Sequence, residues 1–210
     1  MAIQASLFKA LALDHKLRDE IVGMSGMSGK KYRYFINNLI SLVPNPRYLE
    51  VGSYAGSTAC SALDTNTLKI TCIDNWSEFG GPKDVFLKNI SQYSNDSVQF
   101  QFLEDDFRKI NYAEIGKYNI YLFDGPHTEI DQYDGINIAL PALDDQFILI
   151  VDDYNWPNVR NGTQRAMQES LSIISSIEIR TTQNDEHPNK AAFENSDWHN
   201  GYYFAVCKKL

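Results

Sequence analysis

Apolar residues recur along this chain in two different spacings, and the two spacings alternate. Some short runs are apolar throughout, such as Ile120-Tyr121-Leu122-Phe123 and Phe147-Ile148-Leu149-Ile150-Val151. Such runs are typical of strands buried on both faces of a parallel sheet. Amphipathic stretches with helical spacing separate them, so the pattern predicts an α/β domain. The predicted strands are 47–52, 68–74, 98–105, 118–124, 146–153, 177–182 and 202–208.

The predicted helices lie between these strands, at 57–63, 83–93, 130–143 and 159–172. Two more precede the first strand, at 1–22 and 31–42, with a glycine-rich joint at 23–29 between them. We therefore divide the chain into an N-terminal helical segment, 1–46, that acts as a lid or cap, and a main domain, 47–210. A long polar loop, 183–200, joins the last two strands without a helix. That loop predicts an antiparallel last strand, because a parallel crossover normally contains a helix.

Composition narrows the class of protein. The chain has 210 residues and a formal net charge of −8. An acidic surface repels phosphate backbones, so we expect no nucleic-acid partner and favour a small-molecule acceptor. No apolar run reaches the length of a membrane span, and the first residues lack the order of a signal peptide. Three cysteines in apolar contexts indicate reduced core thiols, so we expect a cytoplasmic protein. The sequence does not distinguish a monomer from a homo-oligomer.

Five successive predicted strands end in an acidic residue or a glycine turn. In open α/β sheets, ligands bind beyond the carboxyl ends of the strands. Aspartate also caps helices, which would explain one or two of these positions but explains all five poorly. The positions are Glu50 with Gly52, Asp74, Asp105 with Asp106, Asp124, and Asp152 with Asp153.

The first of these ends is the turn Glu50-Val51-Gly52-Ser53-Tyr54-Ala55-Gly56, followed by Ser57. Tyr54 breaks the dinucleotide pattern G-x-G-x-x-G, and no lysine follows the second glycine as a P-loop requires. An acid before the first glycine would repel a phosphate and suits a cationic or amino-bearing ligand instead. A glycine turn without any ligand is the alternative.

The turn resembles motif I of the class I S-adenosylmethionine-dependent methyltransferases, (Asp/Glu)-x-Gly-x-x-x-Gly. The resemblance implies a Rossmann-like, doubly wound sheet of seven mostly parallel strands, with an antiparallel last strand and helices on both faces. It also implies that S-adenosylmethionine contacts the turn. Asp74, at the end of the second strand, would bind its ribose, and Asp106 or Asp105 would bind its adenine. The implied cofactor-binding residues are Glu50, Gly52, Ser53, Tyr54, Gly56, Ser57, Asp74, Asn75, Trp76, Asp105, Asp106 and Asp124.

The fourth and fifth strand ends carry Asp124-Gly125-Pro126-His127 and the pair Asp152-Asp153. These strands are neighbours in such a sheet, so their carboxylates converge, and a hard divalent cation would relieve their repulsion. His127 lies close enough to act as a general base. Helix capping without a metal is the alternative for both aspartates.

This constellation resembles metal-dependent O-methyltransferases, including those that act on sugar hydroxyls of macrolides. The resemblance implies Mg²⁺ held by Asp124, Asp152 and Asp153, with His127 as the catalytic residue that takes the acceptor proton. A further acidic ligand that this family takes from an upstream segment has no clear match. For the part of the site that would bind the methyl acceptor, the resemblance therefore rests on four residues.

The sequence thus predicts an S-adenosylmethionine-dependent methyltransferase that transfers a methyl group to a small-molecule hydroxyl, of a sugar or a similar compound. A noncatalytic S-adenosylmethionine-binding module on the same fold is the alternative. An oxidoreductase that binds NAD is a third hypothesis, which Tyr54 already disfavours. We expect the remaining histidines, His15, His187 and His199, on the surface.

Overall fold

The sheet has the predicted order of a doubly wound α/β domain. We analysed a computed structural model that describes residues 2–188 and 196–210. Its seven strands run in the order β3-β2-β1-β4-β5-β7-β6, with β1 to β5 parallel and β7 antiparallel to both of its neighbours. The strands are β1 (Arg47–Val51), β2 (Leu68–Ile73), β3 (Val98–Leu103), β4 (Tyr118–Phe123), β5 (Leu143–Val151), β6 (Leu171–Ile179) and β7 (Tyr202–Lys209).

Helices cover both faces of this sheet, which confirms the predicted fold class. One apolar core lies under the first five helices, and a second lies under the last two. Within the described residues, no helix is long and apolar enough to cross a membrane. The helices are α1 (Ala2–Leu11), α2 (Asp19–Val22), α3 (Lys30–Leu42), α4 (Ser57–Leu63), α5 (Lys83–Tyr93), α6 (Glu129–Asn137) and α7 (Pro157–Ser170), with 3₁₀ turns at Phe107–Lys109 and Leu140–Ala142.

The predicted single helix at 1–22 is wrong, because the chain breaks between α1 and α2. Leu13 has a left-handed φ of 59°, which a continuing helix does not allow. Arg18 then donates from its backbone N and its Nε to the buried carboxylate of Asp64, at 2.9 and 2.8 Å. These bonds fix the start of α2 against the end of α4.

The N-terminal helices share a core with the sheet. Tyr32 of α3 stacks on Tyr202 of β7 with ring centroids 3.8 Å apart, and Arg33 is fully buried. Residues 30–33 belong to the predicted lid or cap, and two of their four side chains lie inside the protein. The assignment of 1–46 as a cap stays a prediction.

Strand β6 begins six residues earlier than predicted and follows directly after α7. It is an edge strand that pairs with β7, and its Ile173 and Ile174 are exposed. Exposed apolar residues at an edge hide the alternation that marks a half-buried strand. Helix α6 also ends at Asn137, short of the predicted 143, since β5 begins at Leu143. Within the predicted loop 183–200, positions 189–195 lie outside the described residues.

Candidate active site

A cavity of about 620 Å³ opens beyond the carboxyl ends of the parallel strands. It is the position at which doubly wound sheets bind their ligands. Four predicted site residues do not border it, namely Glu50, Ser53, Gly56 and Ser57, which lie in the buried turn beneath it. The predicted residues that line it are Gly52, Tyr54, Asp74, Asn75, Trp76, Asp105, Asp106, Asp124, His127, Asp152 and Asp153.

Gly52 allows the ends of β1 and β4 to approach each other closely. Its φ is +85°, and a Cβ at this position would lie 1.8 Å from the backbone oxygen of Asp124. A larger residue would therefore separate the two strands. Gly56, with φ 87°, is the N-cap residue of α4. The turn thus bends sharply over the cavity floor and leads straight into a helix.

Asp74 holds this turn in place. Its Oδ2 accepts hydrogen bonds from the backbone N atoms of Ser53 and Tyr54, both at 2.8 Å. Its Oδ1 accepts from the backbone N of Trp76 at 2.7 Å, and the Trp76 indole in turn donates to the Tyr54 carbonyl at 2.9 Å. The strand-two acid is therefore a structural part of the turn, and its contact with a ribose stays a prediction.

Glu50 is a fully buried acid directly under the turn. Its Oε2 accepts a hydrogen bond from the Tyr48 hydroxyl at 2.7 Å. Burial raises the pKa of Glu50 to about 7, although the hydroxyls of Tyr48 and Ser53 oppose the shift. The charges of Asp124 and Asp74 act in the same direction as burial. A carboxylate in this position would be stabilised by a cationic ligand above it.

Asp124, His127 and Asp153 converge at one point of the cavity lining. The His127 Nε2 lies 2.7 Å from the Asp153 Oδ2 and 3.9 Å from the Asp124 Oδ1. One donor atom from each of the three residues falls within 4.8 Å of the others, which is close enough for a shared metal ion. Asp153 reaches this point from a left-handed backbone conformation, with φ 56°.

The three groups perturb one another's pKa values. Burial lowers the pKa of His127, but hydrogen bonds and charge attraction from Asp124 and Asp153 outweigh it and raise the pKa to about 10. Burial raises the pKa of Asp124 to about 7, against the effect of His127. For Asp153, the His127 interaction outweighs burial and lowers the pKa. The two carboxylates therefore favour the protonated form of the imidazole.

Asp152 lies behind this cluster rather than in it. Its Oδ1 accepts from the backbone N of Asp153 at 2.7 Å. Burial, with the charges of Asp124 and Asp153, raises its pKa well above the ordinary value. Burial, and after it the charge of Asp152, raises the pKa of the buried Tyr32 and Tyr202 hydroxyls. The structure thus brings His127, rather than Asp152, together with the other two predicted metal ligands.

Asp105 and Asp106 border the cavity at the end of β3 and also organise their own turn. The Asp106 Oδ1 accepts from the backbone N of Arg108 at 2.9 Å and caps the 3₁₀ turn. The Asp105 Oδ1 accepts from the backbone N of Asp106 at 2.8 Å. The adenine contact assigned to one of them stays a prediction.

Several cavity residues escaped the sequence analysis. The prediction that His199 is a surface residue is wrong, because it is 5% exposed and lines the cavity together with the half-buried His187. Trp156 packs edge-on against His127 at 4.9 Å between ring centroids. Its position three residues after the acid pair was a usable signal. His199 gave none, because it comes from a long loop without periodicity.

The fold and the site together define a class I methyltransferase, the class that takes its methyl group from S-adenosylmethionine. A family model described as a methyltransferase domain matches residues 49–154, just over half of the chain, and the chain belongs to this family. No curated protein matches the sequence.

Solved structures share the fold at low sequence identity. The O-methyltransferase TomG from Streptomyces achromogenes, in complex with SAM, matches with a TM-score of 0.62 and 11% identity over 99% of this chain and 97% of its own. A putative O-methyltransferase from Klebsiella pneumoniae matches with a TM-score of 0.60 and 13% identity over 99% and 97% of the two chains. TrmN from Thermus thermophilus matches with a TM-score of 0.60 and 16% identity over 92% of this chain. This chain spans about half of TrmN, 52% of its length. Family membership removes the NAD-dependent oxidoreductase hypothesis.

Proposed function

We propose that the chain transfers a methyl group from S-adenosylmethionine to a hydroxyl of a small molecule, with assistance from a divalent cation. One observation carries the proposal: a cluster of two carboxylates and an imidazole faces the same cavity as the glycine turn of a methyltransferase. Methyl transfer from a sulfonium is an in-line displacement, so the protein acts mainly by aligning the donor and the acceptor.

The donor half of the site suits a cationic cofactor. Glu50 lies buried beneath the turn, and Asp74 beside it, so a ligand with ammonium and sulfonium charges would neutralise them. Gly52 keeps the floor of the cavity free of a side chain. The complex of TomG with SAM supports this cofactor. We place the ribose near Asp74 and the adenine near Asp105 and Asp106.

The acceptor half of the site contains the cluster of Asp124, His127 and Asp153, and this cluster suits a divalent cation. Asp124 and Asp153 supply hard oxygen donors, and their mutual repulsion contributes to the raised pKa of Asp124. A cation held by these two residues would lower the pKa of a bound acceptor hydroxyl. Asp152 would support the site from behind, through its bond to the Asp153 backbone. We therefore propose Asp124 and Asp153 as the direct carboxylate ligands.

His127 is the group that would accept the hydroxyl proton. With both carboxylates charged, its pKa of about 10 keeps the imidazole protonated at neutral pH, and a protonated imidazole is no base. Positive charge beside Asp124 and Asp153 would remove the cause of this shift and return the pKa toward its ordinary value. This dependence is a further reason to expect metal assistance.

The walls of the acceptor half favour an uncharged acceptor with a flat or ring-shaped body. Trp156, His187 and His199 present ring faces and edges there. Seven carboxylates and one arginine, Arg108, lie in the lining of the whole cavity, and this excess of negative charge would repel a phosphate or a nucleic-acid backbone. A sugar or a phenol fits this combination better than an anion does.

The test is a product screen with S-adenosylmethionine and a panel of sugars and phenols, read by mass spectrometry with Mg²⁺, Mn²⁺ or excess chelator. We expect His127→Ala to lower turnover by about 100-fold or more. Its affinity for S-adenosylhomocysteine should stay within about twofold. His15→Ala is the matched control, because His15 stacks on Tyr34 away from the cavity.

Each half of the proposal has its own contrary result. Full activity of His127→Ala would exclude the base, and full activity in chelator would exclude the metal. Cofactor binding without turnover of any acceptor would favour a noncatalytic binding module instead.

A further inference from the structure

Two separate segments form the walls of the acceptor half. The turn after β5 carries Asp153 and Trp156, and the loop between β6 and β7 carries His187 and His199. We propose that Asn155 is a positioning residue whose side-chain amide fastens the two segments together. It thereby fixes the Asp153 carboxylate relative to the His199 ring.

The Asn155 amide is fully buried and pairs reciprocally with Thr181, just after β6. Its Nδ2 donates to the Thr181 Oγ1 at 2.6 Å, and the Thr181 backbone N donates to its Oδ1 at 2.9 Å. The Arg180 Nε also donates to the same oxygen at 3.4 Å. Both ends of the amide are therefore committed to the β6–β7 loop.

Thr181 also binds His199, which lines the cavity. Its Oγ1 accepts from Asn155 and donates to the backbone oxygen of His199 at 2.8 Å. A hydroxyl has a single hydrogen, so it can donate to His199 only if its other partner is a donor. An asparagine amide is such a donor, whereas an aspartate at the same position would compete for the hydrogen.

Backbone bonds continue the same junction. The Asn155 N donates to the Asn200 oxygen at 2.9 Å, and the Tyr154 N donates to the Gly201 oxygen at 3.1 Å. Gly201 has φ +83°, and a Cβ there would lie 2.7 Å from the Asn155 Oδ1. The loop therefore approaches the amide as closely as a glycine permits.

The junction lies between two residues with left-handed backbones, Asp153 with φ 56° and His199 with φ 35°. Such conformations persist in residues other than glycine only when their surroundings fix them. The Asn155 side chain bonds two residues after Asp153, and the Thr181 hydroxyl bonds to the His199 backbone oxygen. Loss of the pair would let both residues relax and would move the carboxylate and the ring out of register.

A second connection keeps the two segments together without the amide. The Arg160 Nη1 donates to the Tyr154 oxygen at 3.1 Å, and its Nη2 pairs with Asp185 at 2.8 Å. Arg180 also pairs with Asp185. Variants of the Asn155–Thr181 pair should therefore fold, with the fine position of the walls altered.

The test combines four variants with two binding measurements by titration calorimetry. Asn155→Ala and Thr181→Val break the pair. Thr181→Ser retains the hydroxyl, and Thr182→Val is the matched control, because the Thr182 Oγ1 donates to the Glu186 oxygen outside the junction. The probes are Mn²⁺, for the cluster of Asp124, His127 and Asp153, and S-adenosylhomocysteine, for the donor half.

We expect both disrupting variants to weaken Mn²⁺ binding by about tenfold or more, as loss of a group behind a metal ligand typically does. Their affinity for S-adenosylhomocysteine should change by about twofold or less, and the other two variants should retain both affinities. Unchanged Mn²⁺ affinity in the disrupting variants would overturn the inference. So would an equal loss of both affinities that Thr181→Ser does not restore, since that indicates general loss of structure.

The Mn²⁺ measurement rests on the proposed metal-assisted function, and amide hydrogen exchange provides an independent one. If the native protein binds no Mn²⁺, metal assistance fails and exchange decides the positioning role. Thr181→Val should then speed exchange at the Tyr154 and Asn155 amides by about tenfold or more, and Thr181→Ser should not. Equal exchange rates in the two variants would overturn the inference.

Discussion

Replacement of Glu50 with glutamine should stabilise the ligand-free protein while weakening its affinity for the cofactor. Glu50 is fully buried, and burial raises its pKa from 4.5 to about 7. A carboxylate with a raised pKa contributes stability that is fully present below pH 4.5 and is lost as the pH rises through 7. The native protein should therefore become less stable between pH 5 and pH 8, and Glu50→Gln should not share that part of the loss.

The magnitude follows from the shift. One pKa unit corresponds to about 1.4 kcal/mol, so a shift of about 2.5 units makes the variant about 3 kcal/mol more stable at pH 8 and about 1 kcal/mol more stable at pH 5. Glutamine keeps an acceptor for the Tyr48 hydroxyl, so little else changes. Without the negative charge, the affinity for S-adenosylhomocysteine should fall by about tenfold or more.

The assay is urea unfolding of both proteins without cofactor at pH 5 and pH 8, followed by calorimetry with S-adenosylhomocysteine. Glu114→Gln is the control, because Glu114 is exposed and should leave the pH dependence unchanged. A stability difference that stays the same at both pH values would refute a buried, titrating Glu50. Unchanged affinity would refute an electrostatic contribution of Glu50 to cofactor binding.

Three further substitutions test the turn and the N-terminal core. Asp74→Ala removes two bonds to the glycine turn and should weaken S-adenosylhomocysteine binding by about tenfold or more in calorimetry; an affinity equal to that of the native protein would contradict this. Gly52→Ala should cost more than about 3 kcal/mol in urea unfolding, because its Cβ would meet a backbone oxygen at 1.8 Å. Gly80→Ala, in open space with a similar φ, should cost about 1–2 kcal/mol, and equal costs would refute the steric argument. Arg33→Met removes a buried side chain that donates to three backbone oxygens, so it should lower the free energy of unfolding by about 3 kcal/mol or more. Its control, Arg165→Met at an exposed position, should lower it by about 0.5 kcal/mol or less.

The central sheet could be predicted because burial on both faces leaves few residue types available. Strand β4 is apolar from Ile120 to Phe123, and Asp124 follows at the point where the strand leaves the core. The same transition marks β2 and β5, which Asp74 and Asp152 follow. The acids that end these strands therefore reported both the strand boundaries and the position of the cavity.

The parts that failed depend on contacts distant in sequence. His199 is buried because Thr181 binds its backbone and the loop closes on Trp156, and neither contact leaves a local pattern. The break after α1 depends on the bonds between Arg18 and Asp64, 46 residues apart. The structure brings His127 within reach of Asp124 and Asp153, and a direct metal contact of Asp152 stays a prediction.

Strand β7 is the last strand in the chain order but lies between β5 and β6 in the sheet. Until it inserts, β5 has an open edge and β6 has no described neighbour, so the sheet remains divided. The strand also contributes Tyr202, which packs behind Asp152. We therefore expect the glycine turn, which lies against β1, β2 and β4, to fold first. The acceptor half would form only with the final insertion, so that a chain caught before this step could hold the methyl donor without being able to use it.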